Sequence, residues 1–233
     1  MKKKFKAESQ RLLDLMINSI YTNKEIFLRE IISNASDAID KMCYLALTDK
    51  SVGLSRSDFE IILTLDKENR TLTVSDNGIG MDEQELEKNL GTIAFSGSSK
   101  FSEQLEKDSK AAKTTSDDHT GEVDIIGQFG VGFYSAFMVA DKVEIFTQSC
   151  NEDAPSVHWS CDGSPEYEME ELAEKRDRGT TIVLHISEAC MEYCHEQKVE
   201  ELLRKYCHFL PAEIAFGKVK EWKDGKYVDT DKD

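Results

Sequence analysis

The sequence predicts an α/β fold: a two-layer sandwich in which helices cover one face of a mixed, mostly antiparallel sheet. Two observations carry this. Long helical periodicities come mostly first, and the later apolar segments are short, alternating and mostly joined as hairpins. A chain of 233 residues with three prolines and no Gly/Ser linker or internal repeat has room for one large domain or two small ones.

In chain order, residues 8–20 have helical spacing (Leu12, Leu13, Leu15, Met16, Ile17, Ile20), and a second helix runs from about Asn23 to Leu47. Phe59 to Leu65 and Thr71 to Ser75 read as strands of a hairpin turning through 66–70. A short helix spans Glu83 to Leu90. Residues 103–124 are charged and hydroxyl-rich with almost no large apolar side chain, so they read as a loop. A glycine-rich turn at 127–132 leads into a helix ending near Val139. Strands follow at Lys142–Gln148, Ser156–Ser160 and Thr180–Ser187, then a helix over Met191–Phe209 that Pro211 ends. The charged tail from Lys218 has no capping signal.

Composition limits the function. A net charge of −16 argues against a surface built to grip nucleic acid. The acidity lies late: residues 1–60 hold ten basic and nine acidic groups. No stretch has the ~18 apolar residues of a membrane helix. The basic start, Met1 to Lys4, resembles the head of a signal peptide, but Glu8, Arg11 and Asp14 interrupt what would be its apolar core. The expected location is cytoplasmic. Six cysteines without a Cys-x-x-Cys pair read as free thiols. The group Cys190, Cys194, His195, Cys207, His208 lacks the paired short spacings of a structural zinc site and reads better as one side of an amphipathic helix.

Three motifs carry chemistry. On the second helix Glu30, Asn34, Asp37 and Lys41 fall within an arc of roughly 60°, while Ile31, Ile32, Ala35, Ala38, Ile39 and Met42 occupy the other faces. Such a stripe is either a solvated face or a buried polar row that needs partners, which a metal-bound anion would supply. Next, Asp76-Asn77-Gly78-Ile79-Gly80-Met81 follows a strand directly. It is either a hairpin turn or a carboxylate placed to accept a hydrogen bond from an exocyclic amine, beside glycines that let a ligand approach the backbone. Last, Gly127-Gln128-Phe129-Gly130-Val131-Gly132-Phe133-Tyr134 opens a helix. Glycines there serve tight packing or expose N–H groups to an anion. Gly179-Thr180 is by itself an ordinary strand start.

The order of these motifs resembles the GHKL ATPase superfamily. Finer runs are similar to the heat-shock protein 90 chaperone family, in its bacterial, HtpG-type form: Asn23 to Glu30 continuing through Ile31 to Ala38, Leu90 to Ala94, and Ile126 to Ser135. The resemblance covers nearly the whole chain and implies an N-terminal nucleotide-binding domain of the Bergerat fold over residues 1–218. It implies an ATP lid at about 91–126 and, over 219–233, the start of a charged linker to a middle domain.

It further implies ATP or ADP with Mg²⁺ as ligands. Glu30 would be the general base for the attacking water, and Asn34 the magnesium ligand, with Asp37 beside it. Asp76 would read the adenine amino group, with Gly80 and Thr180 acting through water and Met81 packing on the base. Asn89 would touch ribose or phosphate. Backbone N–H groups of Gly130, Val131, Gly132 and Phe133 would cradle the phosphates. The implied partners are unfolded or partly folded client proteins and, in a full-length protein, a homodimer with residues 1–9 as a swapped strand. Nucleic acid and membrane are not implied, and the fragment by itself would be mostly monomeric.

The chain departs from the family pattern at Phe95, where a phosphate-contacting Lys is usual; Lys100 is close in sequence. The insert 103–124 is also unlike the common lid. The family draws a catalytic Arg from the middle domain, so slow hydrolysis is expected here. A histidine kinase would need an acceptor His upstream of the nucleotide core, yet the histidines lie at 119, 158, 185, 195 and 208. A mismatch-repair or topoisomerase ATPase is disfavoured by the specific runs, and a hydrolysis-independent interaction module is the alternative of another class.

Overall fold

The structure, a computed structural model, describes residues 2–4, 23–49, 53–90, 132–164, 166–217, 220–223 and 226–229. The helix expected at 8–20, the lid segment with Phe95 and Lys100, and Gly130 and Val131 lie outside the described residues.

The elements are β1 (Lys2–Lys4), α1 (Ile26–Thr48), β2 (Glu60–Asp66), β3 (Thr71–Asp76), α2 (Glu83–Leu90), β4 (Ala140–Gln148), β5 (Val157–Cys161), β6 (Glu166–Glu171), β7 (Gly179–Ile186), α3 (Glu196–Tyr206), β8 (Glu213–Phe216), β9 (Lys220–Lys223) and β10 (Lys226–Asp229). Eight strands form one sheet in the order β1-β6-β5-β4-β7-β3-β2-β8, and β9 pairs with β10 alone. Only β2 and β8 run parallel within the large sheet. The expected mixed, mostly antiparallel sheet under helices is what forms.

Alternation sets which face is covered. Leu72 and Val74 of β3, Val143 and Ile145 of β4, and Ile182, Leu184 and Ile186 of β7 are buried. They line the face that receives Phe27, Leu28, Ile31, Ile32, Ala35, Ile39 and Met42 of α1. Each of the larger side chains contributes roughly 1.5–3 kcal/mol of transfer free energy, so α1 is held mainly by packing, with no side-chain cap at its N-terminus. Its start is clamped to α3 by Glu25, which accepts from Lys198 at 2.7 Å and Lys205 at 2.8 Å. Those bonds pull the Glu25 carboxyl down to about 2.

Several elements differ from the sequence expectation. Gly132–Met138 is a 3-10 segment, wedged beside α1. The helix expected over 191–209 is two pieces, a 3-10 segment at Glu188–Cys194 and then α3, because His195 is extended (φ −111°, ψ 127°). Cys190, Cys194 and Cys207 are free and buried in the apolar core. Strand β6 (Glu-Tyr-Glu-Met-Glu-Glu) was hidden by its charge: Tyr167 and Met169 face inward and its glutamates outward. β1 pairs with β6 of the same chain, Lys3 opposite Tyr167. Among the described residues, no helix is long and apolar enough to cross a membrane.

Candidate functional site

One cross-sheet row defines the site's first end. Asp76 closes β3, and its register partner is Thr180 on β7, which in turn pairs with Thr147 on β4. These positions continue the helix-facing alternation of Leu72–Val74, Leu184–Ile182 and Val143–Ile145. An apolar face thus ends in three adjacent polar residues. The Asp76 carboxylate accepts the Gly78 N–H at 2.9 Å and a further hydrogen bond from the Thr180 N–H. Burial nonetheless pushes its carboxyl up to about 7, against the pull of those two bonds and of the nearby Arg178 charge.

The turn after Asp76 is pressed between α1 and β4. The Ile79 N–H donates to the Ala38 carbonyl of α1 at 3.0 Å, and the Cys150 N–H donates to the Ile79 carbonyl at 2.8 Å. A Cβ at Gly78 would stand 2.6 Å from the Ala38 carbonyl carbon, and one at Gly80 (φ +64°) would collide with the Gln148 carbonyl. Both glycines are thus required by the protein's own backbone packing, a reason beyond the approach of a ligand. Asn77 points the other way, its side chain tying the start of β2 by bonds to Glu60 N–H and the Asp58 carbonyl. Met81 donates its N–H to the Thr147 hydroxyl at 2.9 Å, and Asn89 at the end of α2 reaches the Met81 sulfur at 3.5 Å.

The second end lies along α1. Ala38, under the Asp76 turn, and Glu30 are eight residues apart, roughly 12 Å along the helix. Between them run Asn34, partly exposed, and Asp37, which is buried. Burial pulls the Lys41 ammonium below its usual range while Asp37 and Glu85 act to hold it up. Glu30 accepts from Arg29 Nε at 3.1 Å. A Cβ at Gly132 would collide with the Glu30 carboxylate, so the described start of the glycine-rich segment lies against the expected base. Phe133 itself is core, edge-on to Tyr134 and Trp159. Tyr134 donates to the Leu90 carbonyl at 2.6 Å and so joins the residue before the 91–131 segment to the element after it.

The structure therefore brings Asp76, Thr180, Gly80, Met81 and Asn89 together, and separately Glu30 and Gly132, with Asn34 and Asp37 on the helix between. Sequence reasoning missed Thr147. Its one sequence trace is a polar residue at the next core-facing position of β4, which gains meaning only once the register with β3 and β7 is known. A cavity of about 520 Å³ opens mainly on the opposite face of the sheet, along Ile62, Ser75, Phe146 and Thr181, and reaches round the strand ends to Asp76 and Thr180. It is open to solvent and meets the base end at Asp76 and Thr180, but Glu30, Asn34 and Asp37 of the α1 stripe do not line it.

The oxygen donors along α1 (the Glu30 and Asp37 carboxylates, the Asn34 amide) suit a hard cation that keeps most of its waters and needs one or two protein ligands. Among the described residues no group of three or more His, Cys, Asp or Glu side chains could hold a metal by itself. The set fits a magnesium carried with phosphates better than a resident ion.

Comparison with known proteins gives the family of the chain. Residues 21–183 match the family described as histidine kinase-, DNA gyrase B-, and HSP90-like ATPase. The chain is 51% identical over 215 residues to the chaperone protein HtpG of Fusobacterium nucleatum, covering 91% of this chain and 33% of that protein. It is 48% identical over 225 residues to the HtpG of Porphyromonas gingivalis (97% and 31%) and 47% identical over 237 residues to that of Shouchella clausii (98% and 36%). The chain thus spans about a third of the length of these relatives. With a family match that runs from before α1 into β7, the chain belongs to the histidine kinase-, DNA gyrase B- and HSP90-like ATPases, in their HtpG-type heat-shock protein 90 branch.

Proposed function

We propose that this chain is the ATP-binding and ATP-hydrolysing N-terminal domain of an HtpG-type chaperone, with residues 1–218 as the nucleotide-binding domain, 91–126 as its lid and 219–233 as the start of a linker. The observation that carries the reading is the half-buried Asp76 carboxylate at the end of β3, an acceptor that ends an apolar sheet face beside Thr180 and whose burial penalises its charge despite the Gly78 and Thr180 N–H groups it accepts. An adenine amino group is a donor that would use it. Glu30 lies roughly two turns along α1 from Ala38, the residue under the Asp76 turn, with Gly132 against it.

In this reading Asp76 accepts from the base, Met81 packs on it, and Gly80 and Thr180 complete that end through water. Asn89 meets ribose or phosphate, and N–H groups of Gly130, Val131, Gly132 and Phe133 meet the phosphates. Asn34 holds Mg²⁺, with Asp37 beside it. The cation, when bound, neutralises phosphate charge. Glu30 takes the proton of the attacking water, once its carboxylate is released from Arg29.

Unfolded clients, a homodimer in the longer protein and a cytoplasmic location belong to the same proposal. β1, lying on the sheet edge beside β6, is the strand such a dimer would exchange.

Calorimetric titration of ADP with Mg²⁺ into the wild-type chain and into Asp76→Asn tests the site. Binding by the wild type with a loss of 100-fold or more in the variant is expected. Equal binding by both would remove Asp76 from the base end, and a folded wild type that binds no ADP would remove the nucleotide reading altogether.

A further inference from the structure

We infer that Thr147 is a positioning residue that fixes the hydrogen-bond polarity of the nucleobase end, making it selective for a base edge that presents an amino group. The proposal rests on the adenine-nucleotide reading above. It comes from counting protons at one hydroxyl. Thr147 is buried, and its oxygen has three partners: the Met81 N–H at 2.9 Å, the Gly179 carbonyl at 3.1 Å and the Thr180 hydroxyl at 3.1 Å.

An N–H can only donate and a carbonyl can only accept. Met81 therefore fills one lone pair of Thr147, and the single Thr147 proton goes to Gly179. What remains on Thr147 is one lone pair, so the contact with Thr180 forms only if Thr180 is the donor. The Thr180 hydroxyl has then spent its one proton and offers lone pairs alone.

Asp76, its register neighbour, is likewise an acceptor when ionised. Above pH 7, where Asp76 is ionised, Thr180 and Asp76 together present acceptors and no side-chain donor. Such an edge pairs with the 6-amino group of adenine, directly or through a water that donates. It leaves the 6-oxo group of hypoxanthine or guanine facing lone pairs. Thr147 touches no reacting atom. It acts through Thr180 and through the Met81 backbone.

The test is a set of titrations with Mg²⁺ and either ADP or inosine diphosphate, which differs at the 6-position. The proteins are the wild-type chain, Thr147→Val and Thr147→Ser, with thermal unfolding of each. Thr147→Val frees the Thr180 proton and removes the Met81 acceptor. ADP should bind about tenfold more weakly, and the preference for ADP over inosine diphosphate should shrink at least tenfold. Thr147→Ser should restore both.

If Thr147→Val weakens both nucleotides by the same factor, or neither, the polarity role is overturned while the nucleotide reading stands. Should Thr147→Val not fold, Thr180→Val decides. It should narrow the same preference, and an unchanged ratio there overturns the proposal. A folded wild type that binds neither nucleotide would instead remove the reading on which the proposal rests.

Discussion

Strands β4 and β7 carry polar side chains on both faces of the sheet, and the two polar rows are built in opposite ways. On the open face, Glu144 sits between His185 at 2.7 Å, His158 at 3.0 Å and Lys142 at 3.0 Å, and His158 reaches Glu170 at 3.2 Å. Charge there is matched by neighbours on the same surface, and water reaches the rim. On the helix-facing side, Asp76, Thr180 and Thr147 interrupt an apolar layer, and the one charge among them is held by backbone N–H groups and the charge of Arg178. The open row serves the fold without needing a ligand. The covered row keeps a carboxylate under conditions that penalise its charge, as the base end of the proposed site requires.

The largest effect that would break this contrast lies in the turn that builds the covered row. Gly80→Ala places a methyl group into the Gln148 carbonyl on a residue already at φ +64°. Backbone meets backbone there, so no side chain can swing away. A loss of more than about 4 kcal/mol is expected, read as failure to fold or as a large drop in the urea midpoint. A Gly80→Ala chain within 1 kcal/mol of wild type would mean that the turn is not clamped between α1 and β4. Gly53 (φ +63°), with no atom of the described residues within 4 Å of its Cβ position, is the control: it carries the conformational strain without the collision.

Next in size is the stability effect of Asp76→Asn, which should run opposite to its effect on binding. The folded chain raises this carboxyl from the ordinary 3.8 to about 7. Its contribution to stability is therefore whole below about pH 4 and is lost as pH rises through 7. Asn has no charge to desolvate and can still accept from Gly78. The variant should be more stable than wild type above pH 7, by up to about 4 kcal/mol, with the gap closing toward pH 4. Urea unfolding at pH 4.5 and pH 8 checks this. A gap that does not widen with pH would mean that the buried charge is better compensated than its neighbours indicate.

Much of this contrast was legible in the sequence, but not all. The α1 stripe, the Asp76 turn and the strand cores follow from spacing alone, because burial imposes periods of 3.6 and 2 on residues that the folding chain must sort. Thr147 was not found because a threonine at a strand end is ordinary until its register partners are known, and register is a long-range property. β6 escaped because four of its six residues are glutamate, and only Tyr167 and Met169 carry its inward face. The break at His195 also left no local signal: Met191 to Phe209 has enough helical periodicity to be read as one helix.

The smallest effect is expected on the open face, and its sign separates the two rows. Burial raises the Glu144 carboxyl, but bonds from His185, Lys142 and His158 together hold it below the usual range. Its contribution is therefore present above the ordinary carboxylate range and lost as pH falls through its lowered value, the reverse of Asp76. Glu144→Gln should cost about 1 kcal/mol at pH 7, as for a partly exposed ion-pair network, and less as the medium becomes acidic. ADP affinity should stay within about twofold, since the opposite face of the sheet is untouched. Unfolding of Asp76→Asn and Glu144→Gln across the same pH series should therefore give curves that depart from wild type in opposite directions. If Glu144→Gln instead stabilised the chain with rising pH, the open row would be under strain like the covered one, and polar burial alone would no longer mark the site.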